Sequence, residues 1–155
     1  MDGRVLQVNI SPGGVPKLPL REAHCGVLGL DGDGHAHPKI HGGPERALCL
    51  YSVEVITALQ AEGHPIWPGS AGENVTISGA DWPSLEVGQR FALGESVIIE
   101  LTRPTEPCKN IAASFLENNF RRIDHAKQPG WSRWYASVTQ EGALRVGDPI
   151  HRILI

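Results

Sequence analysis

Glycine and proline constrain this chain more than any other feature: 18 of one and 12 of the other interrupt its 155 residues, while only 6% are aromatic. Glycine opens positive φ at little steric cost, and proline fixes φ while removing a backbone donor. Such punctuation favours many short strands joined by tight turns over a helical bundle. Val5–Ile10 reads as the first strand and Ser11-Pro-Gly-Gly14 as the turn that closes it, with Val15–Pro19 extended because each proline restrains its predecessor.

The same alternation marks Cys25–Leu30, Ala47–Tyr51, Val75–Ser78, Arg90–Leu93, Val97–Leu101, Ala136–Thr139, Leu144–Val146 and Ile150–Leu154 as strands. Gly94-Glu95 fits a hairpin, and Gly142 and Gly147-Asp148 fit turns. Ser52 can cap a helix with Val55, Ile56 and Leu59 on one face, ended by Gly63. A second short helix is read from Ile111, Phe115 and Leu116, and Pro104 and Pro107 are expected to stop the strand before it. With no βαβ alternation read, these elements predict a mainly β protein, an antiparallel or mixed barrel with one or two helices, in one domain over residues 1–155.

A formal net charge of −3 with mixed signs and no basic run excludes the surface expected of a nucleic-acid binder. The start of the chain, Met1–Val5, lacks a basic region followed by a long apolar stretch, so neither a signal peptide nor a membrane span is expected. Cys25, Cys49 and Cys108 form no C-x-x-C pair, which argues against a disulfide framework and for a reducing, cytoplasmic setting.

Five stretches can carry chemistry. Cys108 sits between a stiff proline turn and a helix-like segment, with Lys109 beside it; position alone leaves a reactive thiol and a buried small hydrophobe as alternatives. Asp31, Asp33, His35, His37 and His41 carry metal-binding types, but their spacing lacks the helical H-E-x-x-H arrangement and suits hydrogen-bonding histidines better. In His41-Gly-Gly-Pro-Glu-Arg46, paired glycines let a ligand approach the backbone while Lys39 and Arg46 suit an anion; a surface pair of Arg46 with Glu45 or Glu54 is the bland account. Asn74, closing Gly69–Asn74, offers a donor and an acceptor to a heterocycle edge or simply an Asx turn. Last, Trp131 and Trp134 bracket Arg133, read as a surface arginine stacked on barrel-end aromatics.

Taken in order, Asn9–Lys17, Gly32–His35, His41–Ser52, Glu62–Pro65, Gly72–Asn74, Asp81-Trp82, Pro107-Cys108 and Arg145–Asp148 resemble the MOSC family, the domain also found at the C-terminus of molybdenum cofactor sulfurases, and its small bacterial members in particular. The resemblance implies a MOSC-type β-barrel and a pterin-based molybdenum cofactor, molybdopterin, in a cleft. It implies Cys108 as molybdenum ligand or persulfide carrier, with His41, Gly42, Gly43, Arg46, Gly72, Glu73, Asn74 and Arg103 lining the cofactor cleft. A soft thiolate suits a soft metal centre, and glycine turns with arginine suit a phosphate.

Two chemistries stay open: reduction of an N-hydroxylated small molecule, or transfer of sulfane sulfur from Cys108. No nicotinamide or flavin fingerprint is present, so a reductase needs an electron-donor protein; a carrier needs an external sulfur donor. A non-catalytic cofactor-delivery module and a zinc hydrolase on His35, His37 and His41 are the other classes. Cys25 and Cys49, in apolar surroundings, are expected to be buried structural thiols.

Overall fold

The computed structural model describes residues 2–34 and 42–154. Its first strand, β1 (Gly3–Ile10), carries a bulge between Val5 and Gln7. The extra residue resets the inside-outside alternation, so Val5 and Val8 both face the core while Leu6 is turned to solvent. β2 (Leu18–Leu20) pairs with β1 as an edge strand. The single strand expected over Cys25–Leu30 is a hairpin, β3 (Glu22–Gly26) and β4 (Gly29–Leu30). Gly29 turns the chain there at φ 117°, and a Cβ on it would come within 2.5 Å of the Ala47 carbonyl oxygen.

β5 (Leu48–Ser52) is buried along its whole length, and α1 (Val53–Ala61) follows directly. The Ser52 hydroxyl accepts the Val55 N–H at 3.2 Å, the cap read from sequence. Such a cap contributes about 1 kcal/mol, less than the roughly 1.5–3 kcal/mol from burying either Ile56 or Leu59, so packing fixes the helix and the cap sets its start. The chain then returns as β6 (Val75–Ser78), parallel to β5. This β5-α1-β6 crossover is a βαβ unit that the sequence reading lacked: the 13 residues numbered 62–74 hide the return in irregular chain.

β7 (Arg90–Leu93) and β8 (Val97–Thr105) form the expected hairpin. β8 runs on through Pro104, which was expected to end it. A register shift between Leu101 and Arg103 breaks the regular ladder just before that proline, the setting in which a strand tolerates a missing N–H. β9 (Arg133–Gln140), β10 (Gly142–Arg145) and β11 (Pro149–Ile153) close the chain. In space the strands run β11-β7-β8-β9-β5-β6-β1-β2, and β11 also pairs with β1. Seven strands therefore form a closed barrel filled by Val8, Leu50, Ile77, Phe91, Ile99, Leu101 and Ala136, with β2 outside the ring. A smaller sheet, β10-β3-β4, packs alongside and buries Cys25.

The helix expected from Ile111, Phe115 and Leu116 is two shorter pieces. A 3-10 helix covers Lys109–Ser114, Phe115 is extended, and a second spans Leu116–Asn118. Ile111 and Phe115 are buried, but the break turns Leu116 out to 51% exposure. No helix among the described residues is long and apolar enough to cross a membrane.

Candidate functional site

A cleft opens between the turn after β1, the turn before β6, and the connection that leaves β8. Its lining gathers Lys17, Arg46, Cys49, Gly72, Asn74, Cys108, Asn110, Arg133 and Tyr135 from positions far apart in sequence.

One wall is built around Asp33. Its Oδ1 accepts the Ser11 N–H at 3.0 Å and the Lys17 ammonium at 2.6 Å, and its Oδ2 accepts the Asn74 amide at 2.8 Å. Lys17 and Asp33 are both buried, so each neutralises a charge that would be costly alone. Asp33, read as a possible metal ligand, is thus committed to a structural ion pair. Asn74 is equally committed: its Oδ1 accepts the Cys49 N–H at 3.0 Å and its Nδ2 also reaches the Asn9 carbonyl at 3.3 Å. The amide that could have read a heterocycle edge instead ties β5 to β1.

The turn before β6 requires glycine at two places. Gly69 has φ 92°, and its Cβ would lie 2.3 Å from the Lys17 carbonyl oxygen. Gly72 has φ 82°, and its Cβ would meet Val15 Cγ1 at 3.0 Å and Arg133 Nη1 at 4.0 Å. Between these glycines and Asn74 the chain turns Glu73 inward, although it was expected in the cleft lining. It is fully buried, its Oε2 accepts the Thr76 hydroxyl at 3.0 Å, and its Oε1 has no hydrogen-bond partner among the described residues. Burial pushes this carboxyl up, with nearby backbone N–H groups and Thr76 partly opposing.

The other wall presents Cys108, half-buried at the start of the 3-10 helix that spans Lys109–Ser114. Six residues of 3-10 helix give the thiol little of the helix-end field that a longer helix would supply. Position is fixed more firmly: Ser114 Oγ donates to the Ser70 carbonyl at 3.1 Å, and the Phe115 ring packs against His64, whose Nδ1 accepts the Leu116 N–H at 3.0 Å.

Arg133 is the residue the sequence reading misplaced. It is only 6% exposed, and its Nη1 and Nη2 donate to the carbonyls of Ala71 at 2.8 Å and Glu106 at 3.2 Å, spanning the two walls. The arginine that does stack on Trp131 is Arg122, 4.0 Å from the ring centroid. Arg46 and Arg103 both lie over Tyr135, at 5.8 and 5.7 Å. Arg46 lines the cleft, whereas Arg103 is exposed at its edge. Among the described residues Arg46 has neither of the ion pairs that its neighbours Glu45 and Glu54 could have offered. Burial, with Cys49 adding to it, pushes the Tyr135 hydroxyl up to about 12.

Gly42 and Gly43 stand outside the lining; Gly43 turns at φ 96° into the 3-10 helix Pro44–Arg46 that carries Arg46. His35, His37 and His41, and with them the zinc alternative, lie outside the described residues. Among the described residues no group of three or more His, Cys, Asp or Glu could hold a metal ion. Cys25 and Cys49 are buried as expected, and burial pushes Cys25 up to about 12, yet Cys49 also lines the cleft with its Sγ 3.9 Å from Thr105 Oγ1. Lys17, Cys49, Asn110 and Arg133 were not expected in the cleft lining, although Lys17 and Cys49 fell inside stretches that carried the resemblance and Arg133 was read as a surface arginine.

The fold and site define a class: a small closed barrel whose cleft sets a thiol among cationic side chains. The MOSC domain family matches residues 37–151, and the chain belongs to that family. It is similar to YflK of Bacillus subtilis, 29% identical over 127 residues, which are 76% of this chain and 52% of YflK. It is also 29% identical over 134 residues to YiiM of Escherichia coli, covering 81% of this chain and 57% of that protein. The chain thus spans about half the length of these relatives. A Gibberella moniliformis reductase is 28% identical over 130 residues, 81% of this chain and 23% of the reductase. The crystal structure of E. coli YiiM superimposes with a TM-score of 0.73 at 25% identity, covering all of this chain and 71% of that one.

Proposed function

We propose that this protein binds the molybdenum cofactor and reduces N-hydroxylated compounds, with Cys108 as the protein ligand to the metal. The observation that carries the reading is the half-buried Cys108 thiol on the cleft wall, held by a clamped 3-10 helix. The residues present fit such a group. A soft thiol suits molybdenum, Gly72 leaves open the space a Cβ would fill, and Arg46 and Arg133 supply positive charge for the cofactor's anionic parts. The likeness to a fungal reductase supports reductive chemistry.

When bound, the cofactor supplies two-electron redox chemistry at its metal. The chain's part is to hold and orient. Cys108 as thiolate fixes the metal's side of the cleft, the Ser114–Ser70 contact fixes the cleft's width, and Lys17 with Asp33 braces the opposite wall. Electrons come from a donor outside this domain, because its sequence holds no nicotinamide or flavin fingerprint.

Metal analysis of protein purified from a molybdenum-replete host tests this reading. Wild type is expected to carry molybdenum and to reduce an N-hydroxylated base with an artificial electron donor, and Cys108→Ser to lose both. Zinc that survives Cys108→Ser, with no molybdenum in either protein, would sink it. Molybdenum without reduction would leave cofactor delivery as the function.

A further inference from the structure

We propose that Arg133 is the deep anchor of an oxyanion subsite, so that the cleft takes a ligand bearing a phosphate or carboxylate group. This rests on the cleft being the ligand site put forward above and names the class of ligand it holds. A guanidinium has five N–H donors and no acceptor. Two carbonyls, those of Ala71 and Glu106, occupy its Nη atoms, while the buried Nε–H has no hydrogen-bond partner among the described residues. No ion pair among the described residues includes Arg133. The buried acid whose field reaches it, Glu73, makes no ion pair with it among the described residues, and burial pushes that carboxyl up with Arg133 among the groups that oppose the shift.

A buried cation without a countercharge is costly to the fold, and a bound anion removes that cost. The surroundings agree. Lys17, the other deep cation of the cleft, already has Asp33 as its counterion, so it makes no comparable demand. Among the described residues Arg46 faces the same cleft without an ion pair, and the Asn110 side chain there makes no hydrogen bond. Among the described residues the only neighbours within reach of a Cβ at Gly72 are Val15 and Arg133, so the glycine keeps the approach to the guanidinium open. Because Arg133 bonds the carbonyl of Glu106, two residues before Cys108, an anion held here lies along the wall that carries the thiol.

Calorimetric titration of the purified protein with inorganic phosphate at constant ionic strength tests the anchor. Saturable binding to one site is expected, with acetate binding in its place if the subsite prefers a carboxylate. Arg133→Gln should weaken it about tenfold or more, and Arg133→Lys should recover part of the loss. Absence of saturable binding of both anions by wild type overturns the inference, and that result needs no variant to fold. Unchanged affinity in an Arg133→Gln protein with native near-ultraviolet dichroism overturns it too. Repeating the titration on cofactor-loaded protein assigns the source: loss of binding means the cofactor's own phosphate fills the subsite, and retained binding gives the subsite to the substrate. Metal-free protein suffices for the first titration, so failure of molybdenum to bind and failure of this inference remain distinguishable.

Discussion

The two walls of the cleft use charge in opposite ways. On the β1 side, Lys17, Asp33 and Asn74 are closed on one another and on backbone groups of Ser11, Cys49 and Asn9. On the β8–β9 side, among the described residues, Arg133 keeps a buried donor without a hydrogen-bond partner and Arg46 has no counterion, and Cys108 stands half-exposed. Both walls are polar and both are largely buried, so burial alone does not tell scaffold from site. Completeness of the hydrogen bonding does: a closed network rigidifies, and an open one waits for a ligand.

The contrast can be broken by substitution. The largest effect is expected from Asp33→Ala, which leaves the buried Lys17 ammonium unpaired and strips Asn74 of a partner; a loss of about 3–5 kcal/mol in urea unfolding is expected. A loss below about 1 kcal/mol would mean that this wall is not the brace described.

Glu73→Gln probes the floor between the walls through pH. A carboxyl held up in the folded state keeps its proton where the unfolded chain has already lost it. Its contribution to stability is therefore greatest below the ordinary carboxylate range and falls as pH rises through that window toward the raised folded value. The amide should flatten this dependence and raise stability at neutral pH relative to wild type. Identical pH profiles for the two proteins would show that burial does not hold the Glu73 proton.

The smallest change in stability is expected from Arg46→Gln, within about 1 kcal/mol, because among the described residues it loses only the contact with the Tyr135 ring and no ion pair. Its phosphate affinity should still fall, though less than that of Arg133→Gln. A large stability loss here would place Arg46 with the scaffold and erase the difference between the walls.

Much of the barrel was legible because its signals are local. The Ser52 cap, the Gly94 hairpin and the alternation in β6, β7 and β9 each depend on residues a few positions apart. Cys108, Arg46, Gly72 and Asn74, singled out in stretches marked by glycine, cysteine and proline, do come together in the cleft lining. Arg133 was not expected there. Its burial depends on carbonyls 62 and 27 residues away, and the flanking tryptophans gave a plausible surface role that Arg122 fills instead. The pairing of Lys17 with Asp33 was hidden for the same reason, because it needs the turn after β1 to fold onto the chain beyond β4. Pro104 misled in the other direction: a rule about isolated strands was outweighed by a register shift that only the β9 partner reveals.

The join between β1 and β11 has a consequence in time. It pairs Gly3 with Ile150 and Arg4 with Pro149, contacts near the greatest sequence separation the chain allows. Loop-closure entropy places such contacts late in folding, after local hairpins such as β7–β8 have formed. During synthesis β1 must therefore wait beside its other neighbours, β2 and β6, until β11 has left the ribosome. A nascent chain stalled before residue 149 would hold an open, curled sheet with two unpaired edges, the form in which this protein is most exposed to misassembly.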